Sequence, residues 1–221
     1  MAEPVDLTAL REEYAADGLR EDDLAPDPVT MFERWFADAR LAGLYDVNAM
    51  VLSTVSAAGR PSARAVLLKG LDSRGFIFFT NTASQKGEEL AANPVCALHF
   101  PWFVLERQVR VDGVAEPLPR DEVAAYFDSR PRGSQLGAWA SPQSSVVTGR
   151  DELDAAYAEV SERFPDQVPV PDDWGGYAVR PDRVEFWQGR PGRMHDRLVY
   201  IREPSSVVEP VETWRIERLA P

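Results

Sequence analysis

What most limits how this chain can fold is a change of period at Ala49. From there the helical period gives way to strand-length segments at 49–55, 62–69 and 76–80, read as strands of period two, with turns at Ala58-Gly59-Arg60-Pro61 and Asp72-Ser73-Arg74-Gly75. Alternation with period two marks strands with one buried face, and connections this short make successive strands antiparallel neighbours. Runs at 95–102 and 107–116 continue the pattern, and extended segments at 176–180, 184–187, 198–202 and 213–218 close the chain. A meander of many short strands removes its edges by curling into a barrel. The expected fold is therefore an antiparallel β-barrel with accessory α-helices, mainly β within the α+β class.

Helical patterns interrupt the strands. Residues 7–16 read as a short helix capped by Asp6 and ended by Gly18, with Arg11 and Tyr14 on one face. After an acidic linker, 21–27, Asp27-Pro28 signals a stronger helix whose stripe is Phe32, Trp35, Phe36 and Ala39. Further helices are expected at 84–91, 119–128 and 151–164. The stretch 130–145 is polar, glycine-containing and poorly periodic, and 165–171 is a proline-rich connector. The expected organisation is an N-terminal segment, 1–27, followed by a single domain, 28–221.

Charge and composition exclude several functions. A net charge of −12 argues against a broad nucleic-acid surface, which needs clustered cations. The longest apolar runs, Ala65-Val66-Leu67-Leu68 and Phe76-Ile77-Phe78-Phe79, are strand length, so no membrane span is expected. The N-terminus lacks the basic start and apolar run of a secretion signal, which points to the cytoplasm. One cysteine and two histidines rule out an internal disulfide and leave no Cys/His zinc set. Cys96 and His99, both within Val95-Cys96-Ala97-Leu98-His99-Phe100, read as structural residues of a buried strand.

Against this acidic background the clustered cations stand out. Trp187-Gln188-Gly189-Arg190-Pro191-Gly192-Arg193-Met194-His195-Asp196-Arg197 lies between two extended segments, and in a continuous strand Arg193, His195 and Arg197 would share a face. Arg64 and Lys69 fall on opposite faces of one strand. Lys86 sits where a strand gives way to a helix, a favourable place for phosphate. Arg130-Pro131-Arg132-Gly133-Ser134-Gln135 follows Tyr126, Gln143-Ser144-Ser145 adds neutral donors, and Gln108 lies beside Arg107 and Arg110. Such groups suit one or two phosphorylated small molecules. No Ser-His-Asp order, paired acids or metal cluster competes with them, and no Gly-rich nucleotide fingerprint follows a strand. Chemistry carried by an organic cofactor is the expectation.

A series of strings runs along the chain: Arg11-Glu12-Glu13-Tyr14, residues 64–69, Phe100-Pro101-Trp102, Leu105-Glu106-Arg107-Gln108-Val109, Tyr126-Phe127-Asp128-Ser129-Arg130-Pro131, Ser134-Gln135-Leu136-Gly137-Ala138-Trp139, Trp174-Gly175-Gly176, residues 184–189, Arg193-Met194-His195-Asp196-Arg197 and Arg218-Leu219-Ala220-Pro221. In this order they resemble the pyridoxine (pyridoxamine) 5′-phosphate oxidases over nearly the entire chain. The resemblance implies an FMN-binding split barrel acting as a homodimer, with FMN in a cleft between subunits and a dimerisation and substrate-binding region at about 174–221. It also implies oxidation of pyridoxamine or pyridoxine 5′-phosphate to pyridoxal 5′-phosphate, with O2 reduced to H2O2.

By position, the implied flavin contacts are Arg64, Val66, Leu67, Lys69, Phe79, Thr80, Lys86, Gln108, Gln143, Ser144, Trp187 and Arg197. The implied contacts to the substrate phosphate are Lys69, Tyr126, Arg130 and Ser134. Arg193 and His195 match the catalytic pair at the substrate ring, and Arg11 with Tyr14 matches a substrate-covering lid. On this assignment Arg197 goes with the flavin rather than with Arg193 and His195. Two positions depart from the family: Phe79 stands where Tyr is common, and Gln85 where a second cation usually accompanies Lys86. A deazaflavin-dependent reductase would share the barrel and the phosphate sites but need not keep the Arg193/His195 pair or the Tyr126/Arg130/Ser134 set, and a non-catalytic flavin or pyridoxal phosphate binder would show colour without turnover.

Overall fold

The computed structural model describes residues 13–204 and 213–221. Asp6 and residues 7–12 of the predicted first helix, Arg11 among them, lie outside the described residues, as do residues 205–212, whereas residues 13–16 are described and are not helical. Among the described residues nine strands form one sheet: β1 (Ala49–Val55), β2 (Pro61–Leu67), β3 (Gly70–Asp72), β4 (Gly75–Asn81), β5 (Val95–Trp102), β6 (Arg107–Pro117), β7 (Trp174–Gln188), β8 (Asp196–Arg202) and β9 (Trp214–Leu219). Their order is β2-β1-β5-β6-β7-β4-β3, with β8 pairing β7 and β9 pairing β8. The pairs β1–β2, β3–β4, β4–β7, β7–β8 and β8–β9 are antiparallel. The helices are α1 (Pro28–Leu41), α2 (Gln85–Ala92), α3 (Arg120–Ser129), α4 (Arg132–Ala140) and α5 (Arg150–Arg163).

The chain forms two compact units from interleaved segments. In the first, built from the described residues up to 47, 99–111 and 183 onward, α1 supplies the core. Asp27 caps this helix by accepting the Thr30 N–H at 2.9 Å, as its sequence signal predicts. Phe32 then meets Phe100 at 4.8 Å between ring centroids, and Trp35 meets Phe186 edge-on at 5.2 Å. Phe36, predicted for the same stripe, is half-buried. Arg107 lies over Trp35 at 4.5 Å and pairs with Asp38 at 2.7 Å, pinning the polar side of the helix. Tyr200 is fully buried with its hydroxyl donating to Ala25 O at 2.7 Å, and burial pushes that hydroxyl up to about 12. Each large apolar side chain buried this way contributes about 1.5–3 kcal/mol.

The second unit holds residues 48–98 and 112–182. Its β4 pairs with β7 from Phe76↔Val179 to Asn81↔Trp174, and Phe78 stacks on Tyr177 at 5.5 Å. Gly75 opens β4 at φ 119°, and a Cβ there would fall 2.0 Å from Val179 O, so only glycine fits. Phe127, Leu136 and Val168 form the core beneath α3 and α4, with Trp139, Phe164 and Trp174 packed against it.

The structure corrects four sequence expectations. The 62–69 run stops at Leu67, and Gly70–Asp72 forms a separate short strand that leads into the expected turn. The segments 176–180 and 184–187 are one strand, β7, continuous through Pro181. The poorly periodic stretch after Arg130 contains α4, whose buried Leu136 and Ala140 give it only a narrow apolar edge. The stretch through Arg193 is not a strand: Pro191–Arg193 is a 3-10 turn, with Gly192 and Arg193 both at positive φ.

Candidate functional site

The second unit gathers most of the predicted phosphate and flavin residues. On β2, alternation holds Arg64 and Val66 half-buried while Leu67 is exposed, and Lys69 beyond the strand end is exposed too. The Arg64 guanidinium is largely spent on the protein. Its Nη1 donates to Leu52 O at 3.1 Å and Thr54 Oγ1 at 2.5 Å, and its Nη2 to Ser62 Oγ at 2.6 Å and Glu89 Oε2 at 3.2 Å. Hydroxyl donation from Ser62 and Thr54 holds the buried Glu89 carboxyl down at about 2.

At the start of α2, Ser84 is the N-cap and Lys86 is buried. Lys86 Nζ donates to Gln143 Oε1 at 2.7 Å and Ser84 Oγ at 3.1 Å, while Thr80 Oγ1 donates to the same Gln143 oxygen at 3.3 Å. Burial, helped by the nearby Arg64 charge, pushes the Lys86 ammonium down to about 8. Ser144, next to Gln143, is exposed at φ 74°. Gln85 turns to Glu89 Oε1 at 2.9 Å.

The Phe79 ring stacks on Tyr126 at 3.8 Å and 11°. One helical turn on, the Arg130 guanidinium lies 4.1 Å from the Trp174 ring and 5.5 Å from Phe127. Among the described residues, its Nη1 and the Trp174 indole nitrogen are buried with no hydrogen-bond partner. Burial lowers the Arg130 pKa and raises that of Tyr126. Ser134 is exposed in the first turn of α4.

The first unit gathers the others. Tyr14 meets Trp187 edge-on at 5.7 Å and His195 at 5.3 Å, and Trp187 and His195 lie 4.6 Å apart. His195 Nδ1 accepts the Arg190 N–H at 3.1 Å, so the neutral ring carries its proton on Nε2. Arg193 is exposed in its turn at φ 62°. Arg197 does not share a strand face with it: its Nε donates to the buried Glu185 at 2.7 Å and its Nη1 to Ala220 O at 3.1 Å. Gln108 and Arg197 line a cavity of about 280 Å³ with His99, Arg110, Glu185 and Trp187. His99, read from sequence as structural, faces this cavity and bonds Gln108 Oε1 at 2.9 Å, whereas Cys96 is buried as expected.

The family described as pyridoxamine 5′-phosphate oxidase matches residues 36–164, and the pyridoxine 5′-phosphate oxidase C-terminal dimerisation region matches 174–221. A pyridoxine/pyridoxamine 5′-phosphate oxidase of Nocardioides sp. is 65% identical over 98% of this chain and 99% of its own length. The chain belongs to the pyridoxine/pyridoxamine 5′-phosphate oxidase family. It is an oxidoreductase with that family's split-barrel fold. Another oxidase of the family, from Streptomyces avermitilis, is 53% identical over 98% of this chain and 96% of its own length. Among solved structures, PhzG from Burkholderia lata 383, in complex with tetrahydrophenazine-1-carboxylic acid, superposes with a TM-score of 0.85 at 30% identity, covering 93% of this chain and 98% of its own. No helix among the described residues is long and apolar enough to cross a membrane.

Proposed function

We propose that this protein oxidises pyridoxamine and pyridoxine 5′-phosphate to pyridoxal 5′-phosphate, as a cytoplasmic homodimer with FMN in a cleft between the subunits. The observation that carries the reading is a pair of cations in the second unit, buried Lys86 and half-buried Arg130, whose hydrogen bonding leaves room for an anion. Among the described residues Lys86 donates to the neutral oxygens of Ser84 and Gln143, and the buried Arg130 Nη1 has no acceptor. A buried charge is costly until it is paired. Two such centres suit two phosphates, one on the cofactor and one on the substrate.

These residues fit FMN. Lys86, Thr80 and Gln143 would hold its phosphate within the field of Arg64. Val66, Leu67, Lys69, Phe79, Ser144, Gln108, Trp187 and Arg197 would contact the rest of it. Gln85, committed to Glu89, offers no second charge, so the cofactor is held more weakly than with a cation there, by about 1.5–3 kcal/mol.

Bound FMN would supply the acceptor for the hydride leaving the substrate's C4′ carbon, with O2 as the final oxidant and H2O2 as its product; the accompanying proton leaves the hydroxyl or the amine, and in the amine case water completes the aldehyde while ammonia departs. The protein's part is positioning. Arg130, Tyr126, Ser134 and Lys69 bind the substrate phosphate. Tyr14, with Arg11, covers the ring, and Arg193 orients it. His195, with Nδ1 occupied by Arg190, presents Nε2–H to the phenolic oxygen and holds a proton there.

The test is purified protein given pyridoxamine 5′-phosphate: it should be yellow and should form peroxide and pyridoxal 5′-phosphate together. Colour without turnover would reduce the protein to a flavin binder. In Arg193→Ala and His195→Ala, flavin content should persist while kcat/KM falls; unchanged kcat/KM in both would remove them from the chemistry.

A further inference from the structure

The described residues ahead of α1 include a strap tied down through its backbone amides. The Glu106 carboxylate accepts the Ala15 N–H at 3.0–3.1 Å and the Ala16 N–H at 3.1 Å. Further along, Asp196 accepts the Leu19 N–H at 2.9 Å, and Arg218 donates to Leu19 O at 3.0 Å. Immediately before the first tie, the Tyr14 ring stands edge-on to both His195 and Trp187.

Glu106 is an unusual residue for its place. Its φ of 53° is left-handed, where glycine or asparagine is less strained. Its backbone is nonetheless fixed, because its carbonyl accepts the Gly189 N–H at 2.7 Å and the Gln188 amide at 3.1 Å. The strap, this residue and the end of β7 are in close contact at Gly189. A Cβ there would fall 2.7 Å from the Tyr14 ring and 3.0 Å from Glu106 Cβ. A carboxylate accepting backbone N–H groups makes the stronger kind of hydrogen bond, and its removal releases a chain segment rather than one rotamer.

We propose that Glu106 is a positioning residue: its carboxylate fixes the backbone at residues 15 and 16 and so seats Tyr14 against His195, on one side of the substrate ring. The part concerning substrate rests on the role given to His195 above; the latch itself does not.

Two variants test it. Glu106→Gln keeps the shape and removes the charge. Glu106→Gly removes the carboxylate while relieving the left-handed backbone, so loss of the latch is not confused with failure to fold. Amide hydrogen exchange over residues 13–20 and steady-state oxidation of pyridoxamine 5′-phosphate are measured on the full-length, flavin-loaded protein. Both variants should exchange faster in that segment and show KM raised roughly tenfold with kcat within about twofold of the parent. Unchanged exchange would overturn the latch whether or not the parent turns over. Faster exchange with an unchanged KM, or an effect on kcat alone, would overturn the seating of Tyr14 toward substrate. A parent that exchanges slowly but oxidises nothing would refute the oxidase reading and, with it, the substrate half of the proposal.

Discussion

Lys86 shows how one residue joins fold to ligand. Its ammonium is held down at about 8 because it is buried next to Arg64. The unfolded chain therefore binds the extra proton between about 8 and 10.5, and the ligand-free fold gains stability as pH rises through that window. A phosphate dianion at this place favours the charged form. FMN affinity should accordingly fall as pH rises past about 8, with binding taking up a proton above that pH. Fluorescence titrations at pH 7 and 9.5 would show the step, and Lys86→Met should weaken binding and abolish it; an identical step in the variant would assign it elsewhere. His99 illustrates a residue legible in part. The alternation of its strand puts Cys96, Leu98 and Phe100 on the buried face and His99 on the other, so the pattern held the information. What it did not hold was the cavity on that other side, whose walls come from β6, β7 and β8.

Among the elements, those with a strong local signal matched the sequence. α1 begins at its Asp-Pro signal, and removing the cap in Asp27→Ala should cost about 1 kcal/mol. A lowering of Tm by roughly 2–4 °C in a thermal melt would report that loss, and an unmoved midpoint would show that the Thr30 amide finds another acceptor. Elements whose definition depends on distant partners were harder to read. β7 pairs with β4 through Val179 and with β8 from Arg183, and Pro181 falls between the two paired stretches, where its missing N–H is tolerated. Local reading sees a turn there. α4 carries Gly133 and Gly137 and buries only two residues, so its helix depends on the core around Phe127 and Val168 more than on its own pattern. The turn at Pro191–Arg193 depends on two consecutive positive-φ residues, and arginine does not announce such a conformation. The idea that Arg193, His195 and Arg197 share one strand face fails for that reason.

For the molecule as a whole, period two and the family strings revealed the fold class, but not which segments pack together. Each unit is assembled from stretches far apart in the chain, and this depends on pairing that no short window contains. Occupied by FMN at about a hundred times its Kd, the protein should be stabilised by about 2.7 kcal/mol, visible as a raised Tm that depends on FMN concentration. A Tm insensitive to FMN would argue that the cofactor site is not formed. Cys96 also decides how the protein can be labelled. It is the chain's sole cysteine, it is buried, and its thiol is pushed up to about 12 by burial and the charge of Asp112. The native protein is thus silent toward thiol reagents near neutral pH. One cysteine introduced at an exposed position such as Tyr45 would then be a unique attachment point for a fluorophore or spin label, without any background residue to remove first.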